Sequence, residues 1–139
     1  MRNTTILMMI AVTLGFSGCK SNSGDKAQLT ANEWQLKEMT TTKGKTTLPQ
    51  RVPTLMLTDT NTMYGFSGCN RFFGRYSTEG NTIKLEPGGS TMMACPDMEI
   101  EDAILKAMGN VKGVKAGQSE NEMLLVDADG NVLMVLSKN

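Results

Sequence analysis

The sequence predicts a mainly β domain of the α+β kind, a sandwich or barrel carrying one packed helix. Three observations point to it. Apolar and polar residues alternate in short runs, the period of a half-buried strand. Turn signals separate these runs at roughly 8–12-residue spacing, as in all-β domains. One segment alone switches to a helical period.

The first strand begins at Glu33, with Trp34 and Leu36 on one face and Glu33, Gln35 and Lys37 on the other. Residues 40–47 (TTTKGKTT) read as a turn or exposed loop around Gly44. Pro49 and Pro53 precede a second strand over Thr54–Thr58. The polar turn TDTNT leads to a third over Met63–Ser67, and a fourth covers Phe72–Ser77. Phe72 and Phe73 must then point to opposite faces. Glu79-Gly80-Asn81 is a tight-turn signal before a strand over Thr82–Leu85. Pro96 and Asp97 open a helix over about residues 96–108, with Ile100, Ile104 and Met108 in its apolar stripe and Glu99, Glu101, Asp102 and Lys106 mostly off it. Gly109 and Asn110 are its stop signal. Strands resume at Val111–Lys115, Glu122–Asp127 and Val132–Leu136, and Asp129-Gly130 marks the last hairpin. Trp34, Leu36, Leu57, Phe66, Tyr76 and Leu124 are expected to fill the interior.

The 139 residues suit one domain. Fourteen Lys and Arg balance fourteen Asp and Glu, so a nucleic-acid binder relying on phosphate contacts is not expected. There is no histidine. That excludes Ser-His-Asp and Cys-His catalysis, His-ligated zinc and His pH switching.

Arg2 and the apolar run Ile6–Phe16 have the layout of a secretory signal. The run is too short to span a bilayer comfortably. Phe16-Ser17-Gly18-Cys19 resembles a bacterial lipobox. By that resemblance residues 1–18 are a lipoprotein signal peptide, Cys19 is the lipidation site and membrane anchor, and residues 19–29 are a flexible tether. An ordinary secretory signal with an incidental cysteine is the alternative. Lys20, rather than Asp, favours the outer membrane by resemblance to lipoprotein sorting signals, with the domain facing the periplasm.

Secretion places the domain where disulfides persist. With Cys19 lipidated, Cys69 and Cys95 remain, and a bridge would close a loop of about 27 residues. Two buried free thiols or a functional thiol pair are the alternatives. No Cys-x-x-Cys motif supports the last.

Residues 65–76 read GFSGCNRFFGRY, and residues 91–96 read TMMACP. Their pattern, G-x-x-G-C-N-x-x-x-G-x-Y followed by T-x-M-A-C and a helix bearing an acid, resembles the META domain family. The matching positions are Gly65, Gly68, Cys69, Asn70, Gly74, Tyr76, Thr91, Met93, Ala94, Cys95 and Glu101. Trp34 and the DADGNVLMVL hairpin also look like the family's ends, so the likeness covers residues 30–137. It implies a small antiparallel lipocalin-like β-barrel with one packed helix, envelope residence, and a link to stress or drug tolerance without a reaction. Glu99, Glu101 and Asp102 read first as a solvated helix face and dipole partner; the resemblance offers the alternative that Glu101 bonds backbone near the Cys69 turn.

Other constellations are weaker. Met92, Met93, Cys95 and Met98 could offer soft ligands to Cu(I), but methionine is also a common core filler. Asp127, Asp129, Gly130 and Asn131 lack the glycine and final acid of an EF-hand at the required spacing. Glu99 and Asp102 share a helix edge rather than facing across a cleft. Ser67 is in no nucleophile elbow. No metal or cofactor is expected. The expectation is a monomeric, non-enzymatic envelope lipoprotein binding a periplasmic protein or peptide, and no nucleic acid. The alternative is a lipocalin-like carrier of a small apolar ligand, which would show as an open interior.

Overall fold

The structure, a computed structural model, describes residues 28–96 and 98–139. Up to residue 27, the segments expected as signal peptide and tether, with Cys19, lie outside the described residues, as does Asp97. The strands are β1 (Glu33–Thr41), β2 (Gly44–Lys45), β3 (Thr54–Leu57), β4 (Thr62–Phe66), β5 (Arg71–Glu79) and β6 (Thr82–Ser90). Helix α1 (Met98–Asn110) follows, then β7 (Gly113–Ala116), β8 (Glu122–Val126) and β9 (Val132–Lys138).

Every pairing is antiparallel. The sheet order is β2-β1-β3-β4-β5-β6-β7-β8-β9, and β1 also pairs with β9, so the strands form a ring. The seam is between β6 and β7, where only Thr82 and Gly113 are paired. Above the seam, α1 packs against β6 and β1. Pro87 therefore sits where β6 has no second strand neighbour, the setting in which a strand tolerates proline.

Several expectations shift. Between Leu36 and Glu38 the register of β1 slips, so Met39 rather than Glu38 points inward. Of the turn or exposed loop expected around Gly44, the structure has the turn, closing a hairpin in which Thr40 pairs with Lys45. Phe66 and Leu124 are half-buried rather than interior. Met63 and Leu125 hold the inner places, because side chains alternate across the pleat and both expectations were one residue out of phase. Trp34, Leu36, Leu57 and Tyr76 are buried as expected. Phe72 points in and Phe73 out. Leu29 is also buried, and its carbonyl accepts a hydrogen bond from the Trp34 indole at 3.0 Å. Leu29, expected within the tether, thus packs against the domain.

The helix starts at Met98 rather than Pro96 and runs on to Asn110. Its buried residues are Glu101, Ile104, Ala107 and Met108. Ile100 is only partly buried, and Glu101 is on the core side instead of off it. Spacings of three and seven put Glu101, Ile104 and Met108 on one face. Under the helix, Ile104 and Met108 meet Leu36, Leu55, Met134 and Leu136 around a gap of only about 10 Å³. This part of the interior is filled.

Two glycines are fixed by close approach. A Cβ at Gly65 would stand 2.0 Å from the Thr54 carbonyl oxygen and 2.7 Å from the Phe72 ring. At Gly74 it would stand 2.2 Å from the Glu86 carbonyl oxygen. Around helical Gly109 there is nothing within 4 Å. Gly65→Ala and Gly74→Ala should each destabilise by about 1–3 kcal/mol in urea unfolding. Gly109→Ala should be neutral or stabilise by up to about 1 kcal/mol. Tolerance of alanine at Gly65 or Gly74 would contradict this strand packing.

Candidate functional site

The turn Ser67–Asn70 joins β4 to β5 and is closed by the Ser67 N–H donating to the Asn70 carbonyl at 2.9 Å. Gly68 has φ +102 in this turn and lies against Pro49. That left-handed conformation explains its place in the motif. Ser67, Cys69 and Asn70 are all buried.

Beneath the turn lies Glu101. Its Oε2 accepts from the Ser67 hydroxyl at 2.7 Å and from the Asn70 backbone N–H at 2.8 Å. Its Oε1 accepts from Asn70 Nδ2 at 3.0 Å. The Ser67 hydroxyl also lies 2.8 Å from the Asn70 carbonyl, but it has only one proton to give. That carbonyl is already served by the Ser67 N–H, so the carboxylate is the stronger destination. No cation pairs with Glu101 among the described residues. Burial alone would raise its carboxyl, but the bonds from Ser67 and from the Asn70 side chain and backbone hold it below the ordinary range.

The other half of the Asn70 amide reaches the next segment. Its Oδ1 accepts from the Thr91 hydroxyl at 2.8 Å and the Met93 N–H at 2.7 Å, while Nδ2 also donates to the Met93 carbonyl at 3.0 Å. One side chain thus pairs with Met93 as a strand neighbour would. Thr91 bonds Arg71 in both directions, its N–H to the carbonyl and its hydroxyl from the N–H. Cys69 and Cys95 form a disulfide, with Cα atoms 5.9 Å apart. Residues 91–95 are therefore tied down without being a strand. Their outer side is open: Met92 is 92% exposed and Met93 55%.

Seven of the sequence-selected residues meet here: Gly68, Cys69, Asn70, Thr91, Met93, Cys95 and Glu101. Ser67 belongs with them, although the sequence pointed to it only as a rejected nucleophile. Its signal was a polar residue one step from the glycine-cysteine-asparagine turn. Gly65 and Gly74 lie in the sheet. Tyr76, on β5, buries its ring and donates its hydroxyl to the Thr58 carbonyl. Burial, then the nearby Asp59 charge, pushes that hydroxyl up. Ala94 is exposed, and nothing in the structure explains its presence in the motif.

A family model for the META domain matches residues 27–139. The chain belongs to the META domain family. The META fold here is also similar to an NMR structure of a protein from Burkholderia xenovorans, at 28% identity and TM-score 0.65, over 82% of this chain and 87% of that one. A DUF4847 family protein from Bacteroides vulgatus, known from a crystal structure, is similar at 11% identity and TM-score 0.59, over 80% of this chain and 94% of that one. That second likeness speaks for the fold alone. No curated protein matches the chain.

Elsewhere, the Asp127 carboxylate closes the β8–β9 turn. Its Oδ1 accepts from the Asp129 and Asn131 N–H groups, each at 2.9 Å, and its Oδ2 from Asn131 Nδ2 at 3.0 Å. The Asn131 side-chain bond, first among several, holds its carboxyl low. This is a hairpin turn with its oxygens in use.

A group whose folded pKa is depressed stabilises above its unfolded pKa, and that contribution is lost as pH falls through the folded value. Glu101 should therefore stabilise the META domain fully above about pH 4.3, the free carboxyl value, and progressively less below it. Glu101→Gln should cost about 1–3 kcal/mol at neutral pH, because its NH₂ must face another donor. It should also flatten the acid limb of a stability-against-pH curve. An unchanged acid limb would contradict the assignment. Reduction of the disulfide should cost about 3–4 kcal/mol in urea unfolding, and no change on reduction would contradict a bridge that holds the loop.

Proposed function

We propose that this META domain is a non-enzymatic cell-envelope lipoprotein. It is anchored through lipid on Cys19, faces the periplasm from the outer membrane, and supports envelope stress or drug tolerance by binding a protein or peptide partner. In this reading the ring is a lipocalin-like barrel used as a rigid platform. The observation that carries it is the 91–95 loop. Its polar groups and backbone are held from below by Asn70, while Met92 and Met93 project outward. Methionine is adaptable and polarisable, and it suits contact with partners of varied shape. The polar side chains of the motif are engaged in holding the chain, which favours a binding role over acid–base or nucleophilic chemistry. A lipid on Cys19 would supply the attachment; no helix among the described residues is long and apolar enough to cross a membrane.

The carrier is the second reading, and one observation favours it. A half-open cleft of about 1030 Å³ lies at the end of the ring, with Leu29, Trp34, Val114 and Met123 among its lining and Asn81 and Asn121 among its polar residues. A carrier encloses its apolar ligand, whereas this cleft is open to solvent.

Met92→Ser with Met93→Ser should leave the unfolding midpoint unchanged and abolish complementation of a deletion strain challenged with heat or hydrophobic drugs. Full complementation by this double variant would overturn the binding role of the loop. Loss of complementation by a cleft variant such as Val114→Asp, with the methionine variant active, would favour the carrier.

A further inference from the structure

The outer face of β3 to β6 carries side chains that the META motif does not use. Strand register arranges them in rows. Phe66 stands opposite Arg71, Tyr64 opposite Phe73, and Thr62 opposite Arg75. Met56 extends the middle row on β3, and Gly89 extends it on β6. Phe73 is 63% exposed and Tyr64 48%. A Cβ at Gly89 would stand 2.7 Å from the Phe73 ring, so that ring lies over bare backbone.

Cations interleave with these rings. The Arg51 guanidinium lies 4.4 Å from the centre of the Phe66 ring. Arg71 and Arg75 are exposed. None of the three makes an ion pair among the described residues. Glu86 is opposite Arg75 in register, but Lys84 holds it. A chain of zero formal net charge thus gathers three arginines outside any ion pair among the described residues and three aromatic rings at one sheet face, with Glu86 near enough to Arg75 to feel its charge.

Tyrosine settles at the headgroup level of a bilayer, and Tyr64 stands there beside the exposed apolar ring of Phe73. Guanidinium groups bind phosphate oxygens in pairs, and each basic residue near an anionic surface adds to the attraction. The chain's path brings the two together. Glu33, the first residue of β1, is paired with Met56 at the border of this face. About nine residues separate Cys19 from Gln28, which span at most about 30 Å.

We infer that the Tyr64–Phe73 face of β3 to β6 docks on the anionic phosphate headgroups of the membrane that carries the lipid anchor. This rests on the anchored envelope reading above. Tethering makes even a weak surface contact effective, because the face and the bilayer share a small volume.

The test uses the lipid-anchored protein in vesicles of phosphatidylglycerol and phosphatidylcholine with brominated acyl chains. Tryptophan is placed at Phe73, or at Val132 on β9 as the control for the far side of the ring. Bromine should quench the Phe73→Trp protein at least about twofold more than the Val132→Trp protein. Adding Arg71→Ala and Arg75→Ala should bring quenching down to the control. Equal quenching at both positions, or quenching that survives the arginine changes, would overturn the inference. A response to a single-stranded oligonucleotide with none to vesicles would overturn it in favour of nucleic acid. Flotation with vesicles reads the anchor separately. Should the chain not float, the anchored reading fails by itself, and the same quenching with excess vesicles still decides the face.

Discussion

A carboxylate removed from water without a cation must have its oxygens met by donors, and Glu101 has three, from Ser67 and Asn70. Much of the motif's geometry depends on this. The Ser67–Asn70 turn must present two N–H groups and a hydroxyl to one side. That requires the sharp reversal at Gly68, whose φ of +102 suits a residue without a Cβ. The helix must arrive with Glu101 on the same face as Ile104 and Met108, so its polar anchor and its apolar contacts are set together.

From this point order spreads outward. Asn70 has one half of its amide on Glu101 and the other on Met93. A segment with no strand hydrogen-bond ladder thereby acquires fixed backbone partners, and the disulfide ties its end to the same turn. The arrangement separates two roles by direction: polar groups point inward and hold the chain, while Met92 and Met93 point outward. Under the helix the apolar interior is nearly closed, and free volume is displaced to the seam end of the ring, where β6 and β7 share a single residue pair.

The strands were largely legible in the sequence because their period of two is a local property. The β8–β9 turn was legible for the same reason, since Asp-Gly chemistry acts within a few residues. What was missed depends on long-range geometry. The bulge after Leu36, which sends Met39 inward, is set by pairing with β9. The inner places of Met63 and Leu125 follow from cross-strand phase rather than hydrophobicity. Burial of Glu101 is invisible to a hydrophobic stripe, because a charged residue counts as outward until a turn 31 residues away supplies its donors. Only the family resemblance anticipated that acid near the Cys69 turn. The arginine and aromatic rows also escaped notice, since each strand contributes only one or two of their members.

The central claim is that side chains, not a β ladder, fix the 91–95 loop through Asn70 and Glu101. Amide hydrogen exchange at Asn70 and Met93 tests it most directly. Both amides should exchange only with global unfolding, as protected as the central residues of β5. Exchange at Met93 or Asn70 as fast as at the exposed β7–β8 turn would contradict the claim.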